Sequence, residues 1–257
     1  MLTVDSISKS FGGLTAVDSC SFTIESQSIT GLIGPNGAGK TTIFNVIAGA
    51  MKPDGGRVQF QGTDITGQPA HTLFHLGIMR TFQIPQEFFA MTVLENLMVV
   101  PAKQSGENLF YALLSPGNVA AREKEVRERA IDVLDFLRLT HVIDELAGNL
   151  SGGQKKLLEL GRAMMADPDI VLLDEPGAGV NPTLLGELAE MIERLNKERH
   201  YTFCIIEHNM DMIARLCDPV IVMVEGGVLM QGDMDTVRAD PRVLDAYLGG
   251  DIHVAPN

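Results

Sequence analysis

The sequence has few cysteines, fewer basic than acidic residues and no long apolar run. Its three cysteines, Cys20, Cys204 and Cys217, lack C-x-x-C spacing, which is typical of reduced structural thiols in a cytoplasmic protein. Lys and Arg number 20 against 33 Asp and Glu, and this net charge of -13 argues against a nucleic-acid partner. No apolar stretch approaches the roughly 20 residues that cross a bilayer, and we expect no signal peptide. If the protein acts at a membrane, it must dock on another protein there.

The rest of the composition is that of an ordinary globular protein. Hydrophobic residues make up 45% of the 257 residues and charged residues 21%, enough for one large domain or two smaller lobes. Apolar runs alternate with amphipathic segments, which predicts an α/β protein. We predict strands at residues 2–7 (an edge strand), 16–24, 29–33, 57–60, 170–173, 202–206, 220–224 and 228–230. We predict helices at 43–48, 69–79, 122–139, 182–198 and 210–216, an irregular insertion at 101–117 and a frayed tail at 251–257.

A glycine-rich stretch at residues 34–42 matches the phosphate-binding pattern G-x-x-x-x-G-K-[ST]. Its glycines let successive backbone N–H groups point inward at phosphates, and the helix that begins near Lys40 adds the positive end of its dipole. Lys40 would reach the β- and γ-phosphates, and the Thr41 hydroxyl would bind Mg²⁺. The predicted nucleotide-binding residues here are Gly34, Pro35, Asn36, Gly37, Ala38, Gly39, Lys40, Thr41 and Thr42.

Further candidate residues lie at the ends of predicted elements. Asp174 and Glu175 follow an apolar strand, which puts both carboxylates at the carboxyl edge of the sheet, where α/β proteins bind ligands. Ser151 begins the sequence Ser-Gly-Gly-Gln in the position of a helix N-cap. His71 and His75 have the spacing of a metal-binding pair, but without an evident third ligand we expect them to be surface residues of a helix.

Together, the phosphate loop, the Asp-Glu pair and the Ser-Gly-Gly-Gln motif resemble the ATPase subunit of an ATP-binding cassette (ABC) transporter. The resemblance extends from Phe11 to His208. It implies an α/β P-loop NTPase of the ABC ATPase type, with a RecA-like core, an antiparallel β-subdomain and an inserted helical subdomain. We therefore predict one domain at 1–250, in which 1–85 form the β-layer and phosphate-loop part, 86–165 the helical subdomain and 166–250 the rest of the core with the C-terminal helices.

The resemblance also implies roles for single residues. Phe11 would stack on adenine, and Glu175 would polarise the attacking water as general base. Gln83 would touch both Mg²⁺ and this water, and His208 would contact the γ-phosphate. ATP and Mg²⁺ are the expected ligands, and the implied metal-site residues are Thr41, Gln83 and Asp174.

In this family the signature motif binds the γ-phosphate held by the other subunit, so the resemblance implies a dimer with an identical or a paralogous ATPase. The signature residues here are Ser151, Gly152, Gly153 and Gln154. Asn181 stands where many cassette ATPases carry an aspartate in the dimer-contact loop, although an amide still forms hydrogen bonds. Integral membrane permeases would dock near Gln83 to Met91, at the cytoplasmic face of the inner membrane, and would receive solute from a binding protein.

Segments at residues 77–83, 91–97, 110–116, 179–182 and 246–249 are similar to the ATPases of branched-chain amino acid importers. Urea or short-amide systems share much of this pattern, and lipopolysaccharide-export ATPases share some of it. A soluble cassette protein that acts as a nucleotide switch is an alternative from another class, but such proteins usually carry two cassettes or a long coiled-coil insert. A small-molecule kinase would use the same phosphate loop and would leave residues 150–154 unexplained.

Overall fold

The structure is a computed structural model that describes residues 1–81, 87–101 and 116–249. Its strands are β1 Leu2–Phe11, β2 Leu14–Ile24, β3 Ile29–Ile33, β4 Gly55–Phe60, β5 Thr63–Asp64, β6 Ile78–Arg80, β7 Ile170–Asp174, β8 Thr202–Ile206, β9 Val220–Val224 and β10 Gly227–Gly232. Its helices are α1 Lys40–Ile47, α2 Ala70–His75, α3 Val93–Met98, α4 Pro116–Phe136, α5 Gly152–Ala166, α6 Pro182–Arg199, α7 Met210–Leu216, α8 Met234–Ala239 and α9 Pro241–Gly249. Among the described helices, none combines the length and the apolar character that a membrane span requires.

The chain divides into two compact units. The first, called here the α/β unit, comprises Met1–Gln83, Asp169–Ala178 and Ile192–Asn257. The second, called the helical unit, comprises Ile84–Pro168 and Gly179–Met191, and thus includes the beginning of α6.

A six-stranded sheet forms the centre of the α/β unit. Its order is β10-β9-β3-β8-β7-β6, and all neighbours pair in parallel except the edge strand β10, which runs antiparallel to β9. Every residue of β3, β7 and β8 is buried, which explains why these strands are apolar runs without alternation. Because parallel strands run the same way, the carboxyl ends of β3, β8, β7 and β6 lie at one edge of the sheet.

The second sheet of this unit is antiparallel, with the order β2-β1-β4-β5. Strand β1 is hydrogen-bonded to β2 on one side and to β4 on the other, so the prediction of an edge strand is wrong. The alternation along this strand, with Leu2 and Val4 buried, shows which face of the sheet is buried. It does not show whether the strand has a hydrogen-bonded neighbour on one side or on both.

The core of the α/β unit contains one face of each sheet and the buried face of α1. Phe44 on α1 is completely buried, and removing such a ring from water contributes roughly 2–3 kcal/mol. Alternate residues of the six-stranded sheet join this core, as do residues of the antiparallel sheet, for example Leu32, Leu172, Ile206, Ile221, Leu2, Val4 and Phe60.

The cysteines Cys20, Cys204 and Cys217 are free and buried, as predicted, and burial raises the pKa of the Cys217 thiol to about 12.

Helix α2 is shorter than predicted. It ends before Gly77, whose φ of +91° interrupts the helix, and the following residues Ile78, Met79 and Arg80 form β6 against β7. The predicted helix at 69–79 is therefore wrong in its last part. His71 and His75 are exposed, and no group of three potential metal ligands occurs among the described residues.

The helical unit is built on α3, α4 and α5. The predicted apolar stripe is buried: Val126, Ala130, Val133 and Leu134 lie on α4, and Leu137 follows directly after it. It begins at Pro116, so the predicted insertion at 101–117 overlaps its start, while residues 102–115 lie outside the described part of the chain.

The side chain of Asn96 holds the segment that precedes α3. Asn96 is fully buried; its Oδ1 accepts from the Phe88 N–H at 2.8 Å, and its Nδ2 donates to the carbonyls of Phe88, Met91 and Thr92 at 3.1, 3.3 and 2.9 Å. Phe88 and Phe89 remain 49% and 61% exposed, so this segment presents two aromatic rings to solvent.

Replacing Asn96 with Ala should therefore lower the stability of the helical unit. The substitution removes these four hydrogen bonds and leaves backbone groups unpaired, at a cost of about 2–4 kcal/mol. Urea denaturation measures this loss. The exposed Asn149→Ala variant serves as the control and should change stability by less than about 0.5 kcal/mol, and an equal loss in both variants would contradict the role given to Asn96.

Candidate active site

The phosphate loop connects β3 to α1 at the carboxyl edge of the six-stranded sheet. Two of its glycines are required by the close approach of other backbone. Gly34 has φ +149°, and a Cβ there would lie 2.1 Å from the Met223 carbonyl oxygen. Gly39 has φ +95°, and a Cβ there would lie 2.4 Å from the Ala16 carbonyl oxygen. Any side chain at these two positions would displace the loop.

Lys40 begins α1 and is largely buried. Its Nζ donates to the carbonyls of Gly34 and Pro35 at 2.7 and 3.0 Å. Burial lowers the pKa of Lys40, and the nearby carboxylates Glu175 and Asp174 act in the opposite direction. The Lys40 ammonium group is thus hydrogen-bonded to two carbonyls of the phosphate loop. A bound anion could replace these carbonyls as the acceptor.

A cavity of about 350 Å³ opens above the phosphate loop. It brings together most of the predicted nucleotide-binding residues, together with Glu175 and His208. Phe11 and Leu14, two of its lining residues, are 47% and 69% exposed, and Lys9 Nζ lies 5.8 Å from the Phe11 ring centroid. The lining residues are Phe11, Leu14, Thr15, Ala16, Asn36, Gly37, Ala38, Gly39, Lys40, Thr41, Thr42, Glu175 and His208.

The two predicted carboxylates follow each other at the end of β7 and face different surroundings. Asp174 is the last residue of the strand and is buried, whereas Glu175 lines the cavity. Glu175 has φ +49°, a left-handed conformation that is uncommon for a non-glycine residue, and its N–H donates to the Ile206 carbonyl at 2.9 Å. Such backbone strain, of order 1–3 kcal/mol, is often found at functional sites.

Glu175 is paired with His208. His208 lies two residues after the end of β8, the strand that pairs with β7. His208 Nε2 lies 3.1 Å from Glu175 Oε1. Glu175 is 24% exposed in its side chain and His208 48%, so both groups remain accessible from the cavity.

Glu207, between β8 and His208, shapes this region, and it is not among the predicted site residues. It is buried, and its carboxylate accepts three backbone N–H groups, from Gly177 at 2.6 Å, His208 at 2.8 Å and Asn209 at 3.1 Å. These bonds tie the loop after β7 to the loop after β8. Glu207 therefore stabilises the segments that carry Glu175 and His208.

Asp174 is paired with Arg80, the last residue of β6. Arg80 Nη2 lies 2.7 Å from Asp174 Oδ2, and Arg80 Nη1 donates to Asn45 Oδ1 on α1. Both Arg80 and Asn45 escape prediction from local patterns, because their contacts join elements that are distant in the chain.

The oxygen groups near the phosphate loop fit Mg²⁺. Thr41 supplies a hydroxyl that lines the cavity, and Asp174 supplies a carboxylate at the end of β7. Mg²⁺ prefers oxygen ligands and is usually held by one or two carboxylates with substrate phosphates and water, not by an all-protein cage. Gln83, the other implied metal-site residue, lies outside the described residues.

The signature residues begin α5 in the helical unit. Ser151 is the N-cap, as predicted: its Oγ accepts from the Gln154 N–H at 3.4 Å, and Gln154 Oε1 accepts from the Ser151 N–H at 2.9 Å. Gly152 is exposed, while a Cβ at Gly153 would lie 1.3 Å from Leu184 Cδ2 on α6. The start of this helix is exposed at Ser151 and Gly152, and the first N–H groups of a helix have no acceptor within the helix.

Asn181 caps α6. Its Oδ1 accepts from the Leu184 N–H at 3.0 Å, and Pro182 follows at the first helical position. An aspartate would accept the same hydrogen bond, so the amide preserves the local structure of this loop.

Comparisons with known proteins identify the family of this chain. A family model described as "ABC transporter" matches residues 17–178. A second model, described as "Branched-chain amino acid ATP-binding cassette transporter", matches residues 228–253.

Two curated relatives cover almost the whole chain. The chain is 43% identical to the "Probable branched-chain amino acid transport ATP-binding protein LivG" of Archaeoglobus fulgidus, over 97% of this chain and 95% of that protein. It is 37% identical to the "High-affinity branched-chain amino acid transport ATP-binding protein LivG" of Escherichia coli K12, over 97% of this chain and 98% of that protein.

Two crystal structures of ATP-binding cassettes from an ABC transporter, one nucleotide-free and one in the ADP conformation, each have a TM-score of 0.82 and 40% identity. They cover 96% and 97% of this chain, and in each case the match covers 98% of the solved chain. The chain therefore belongs to the ATP-binding subunits of ABC transporters, in the group of the branched-chain amino acid transport ATP-binding proteins.

Proposed function

We propose that this chain hydrolyses ATP to power the uptake of branched-chain amino acids through a membrane transporter. The observation that carries the catalytic part of the proposal is the contact between Glu175 and His208 in the cavity of the phosphate loop. A general base must lie within reach of a water beside the γ-phosphate, and Glu175 is the carboxylate that lines this cavity.

ATP binding would use the two ends of the cavity. Phe11 and Leu14 offer apolar contact to the adenine ring at one end, where Phe11 can stack on the base. At the other end, Lys40 exchanges its bonds to the Gly34 and Pro35 carbonyls for oxygens of the β- and γ-phosphates. The exposed backbone N–H groups of the loop and the start of α1 bind the remaining phosphate charge.

Hydrolysis would then proceed by attack of water on the γ-phosphorus. Glu175 accepts the proton of the water, while the bond between the γ-phosphorus and the bridging oxygen breaks and leaves ADP and phosphate. His208 Nε2 contacts the Glu175 carboxylate, and His208 would contact the γ-phosphate.

Thr41 and Asp174, with Gln83, would hold Mg²⁺. The ion would offset the negative charge that the phosphates carry in the transition state. The position of Asp174 at the end of β7, directly before Glu175, supports this role.

We further propose that the site is complete only in a dimer, formed with an identical or a paralogous subunit. The exposed start of α5, with Ser151 as its N-cap, offers N–H groups that suit a γ-phosphate held by the other subunit. Asn181 would take part in the contact between the subunits through its exposed amide.

The partner in the membrane would be a pair of permease subunits that dock on the aromatic platform, defined here as Phe88 and Phe89. The two rings are exposed, and Arg162 and Lys155 lie against them at 5.2 and 5.3 Å from the ring centroids. Lys155 also pairs with the buried Glu87 at 2.8 Å, so this platform is rigidly supported. Large rigid aromatic groups are typical anchors of protein interfaces.

The solute is chosen by other chains, because the ATPase subunit does not contact it. The names of the relatives favour branched-chain amino acids over urea, short amides or lipopolysaccharide. An extracytoplasmic binding protein would deliver the solute, and this chain would lie at the cytoplasmic face of the inner membrane.

Replacing Glu175 with Gln should abolish ATP turnover, by at least about 100-fold, and preserve ATP binding, because the amide has the same shape and cannot accept the proton. Phosphate release and the binding of a fluorescent ATP analogue measure the two effects. Glu225→Gln is a matched control, since Glu225 also follows a strand with φ +49° and does not line the cavity. Retained turnover in Glu175→Gln would contradict the assignment of the general base.

The specific activity of the purified chain should rise with its concentration, because Ser151 must come from a second copy. A dilution series followed by sedimentation relates activity to the fraction of dimer. The specific activity of Ser151→Arg should stay at the low level of the dilute chain at every concentration. Thr92→Arg, which removes the capping box of α3, should behave like the wild type. Constant specific activity in the dilution range where only monomer exists would overturn the proposed dimeric site.

Phe89→Glu should prevent co-purification of the permease subunits in mild detergent without changing the ATPase activity of the isolated chain, because it places a charge on the platform. Wild-type chain should bring down permeases and a binding protein that takes leucine, isoleucine or valine. Leu244→Glu is the control, since Leu244 is equally apolar and 52% exposed in the other unit. Binding of a different solute class by that protein would contradict the proposed substrate.

A further inference from the structure

Arg80 connects three elements of the candidate active site. It ends β6, its Nη2 donates to Asp174 at the end of β7, and its Nη1 donates to Asn45 on α1. Helix α1 is the helix of the phosphate loop. The guanidinium therefore lies between the phosphate-loop helix and the carboxylate assigned to Mg²⁺.

The pair of Arg80 and Asp174 is buried, with side-chain exposures of 15% and 6%. Arg80 Nε is also buried and has no hydrogen-bond partner among the described residues. Burying two charges removes their hydration, which offsets most of their attraction, so a buried ion pair is a weak way to stabilise a fold. The contact of Arg80 with Asp174 therefore indicates a role of Arg80 in the candidate active site.

Arg80 is also the cation in direct contact with Asp174. The other cation nearby is Lys40, whose ammonium donates to the Gly34 and Pro35 carbonyls instead. Arg80 binds one carboxylate oxygen, Oδ2, and no hydrogen bond to the other oxygen, Oδ1, is found in the described part of the chain. The pairing thus neutralises the carboxylate through one of its two oxygens.

A divalent cation that reached Asp174 without nucleotide would be repelled by the guanidinium of Arg80. The repulsion acts on a double charge at short range and offsets the attraction of the ion to the single carboxylate. The phosphates of ATP carry enough negative charge to reverse this balance, so nucleotide and metal would bind together.

We propose that Arg80 is the counter-ion of Asp174 before nucleotide binds, and that it keeps Mg²⁺ out of the site until the phosphates of ATP arrive. Arg80 is in this sense a positioning residue, since it acts through Asp174 and not on the substrate. The inference rests on the proposed magnesium site.

The test is the binding of Mn²⁺ alone to the full chain without nucleotide, measured by electron paramagnetic resonance. Arg80→Gln keeps a donor for Asp174 and removes the charge, so it should bind Mn²⁺ at least about ten-fold more tightly than the wild type. Arg80→Lys keeps the charge and should resemble the wild type. The double variant Arg80→Gln with Asp174→Asn should lose the gain, because the metal then lacks its carboxylate.

Equal Mn²⁺ affinity in Arg80→Gln and the wild type, or the same change in Arg80→Gln and Arg80→Lys, would overturn the proposal. Circular dichroism and Tm establish that each variant is folded. If Arg80→Gln is unfolded in the absence of metal, Mn²⁺ without nucleotide should restore its fold, and failure to do so counts equally against the proposal.

One further measurement separates this inference from the proposed magnesium site. If Asp174→Asn leaves the binding of Mn²⁺ with ATP unchanged, the magnesium site itself is wrong. If Asp174→Asn weakens that binding and Arg80→Gln has no effect without nucleotide, the magnesium site stands and the role of Arg80 as counter-ion is wrong.

Discussion

The parallel pairing of β3, β8, β7 and β6 is the constraint on which the site depends. It brings the phosphate loop, His208, Glu175 and Arg80 to the same edge of the sheet, although they are far apart in the chain. The order in space is set by hydrogen bonding between strands and not by the order of motifs along the sequence. The phosphate loop follows β3, and the side chains proposed for catalysis lie at the ends of the neighbouring strands.

At this edge, several charged groups already have a partner. Lys40 donates to loop carbonyls, Arg80 pairs with Asp174, His208 contacts Glu175, and Glu207 accepts three backbone N–H groups. Nucleotide binding would therefore exchange partners and would not create new uncompensated charges. Such preorganisation lowers the cost of arranging polar groups at the moment of reaction.

The sequence predicted the central elements well because their patterns are local. Strands β3 and β8 have the predicted bounds, since buried central strands are short uninterrupted apolar runs. Strand β6 was missed, because three residues show no period and form a strand only by pairing with β7. Gln83 lies outside the described residues, so its role remains a prediction. The pair of Arg80 and Asp174 depends on tertiary contact, which no single-sequence pattern reports.

Glu175 and Glu225 show that the backbone conformation of a residue does not determine its chemical role. Glu175 and Glu225 each follow a strand directly, and each has φ +49°. Glu225 begins the turn between β9 and the antiparallel edge strand β10, where its side chain is exposed. Glu175 follows β7, whose neighbour β8 leads to His208, so the same backbone conformation there aims a carboxylate into the phosphate cavity. The role proposed for Glu175 therefore depends on the neighbouring strand, and the strained backbone only makes the direction of the side chain possible.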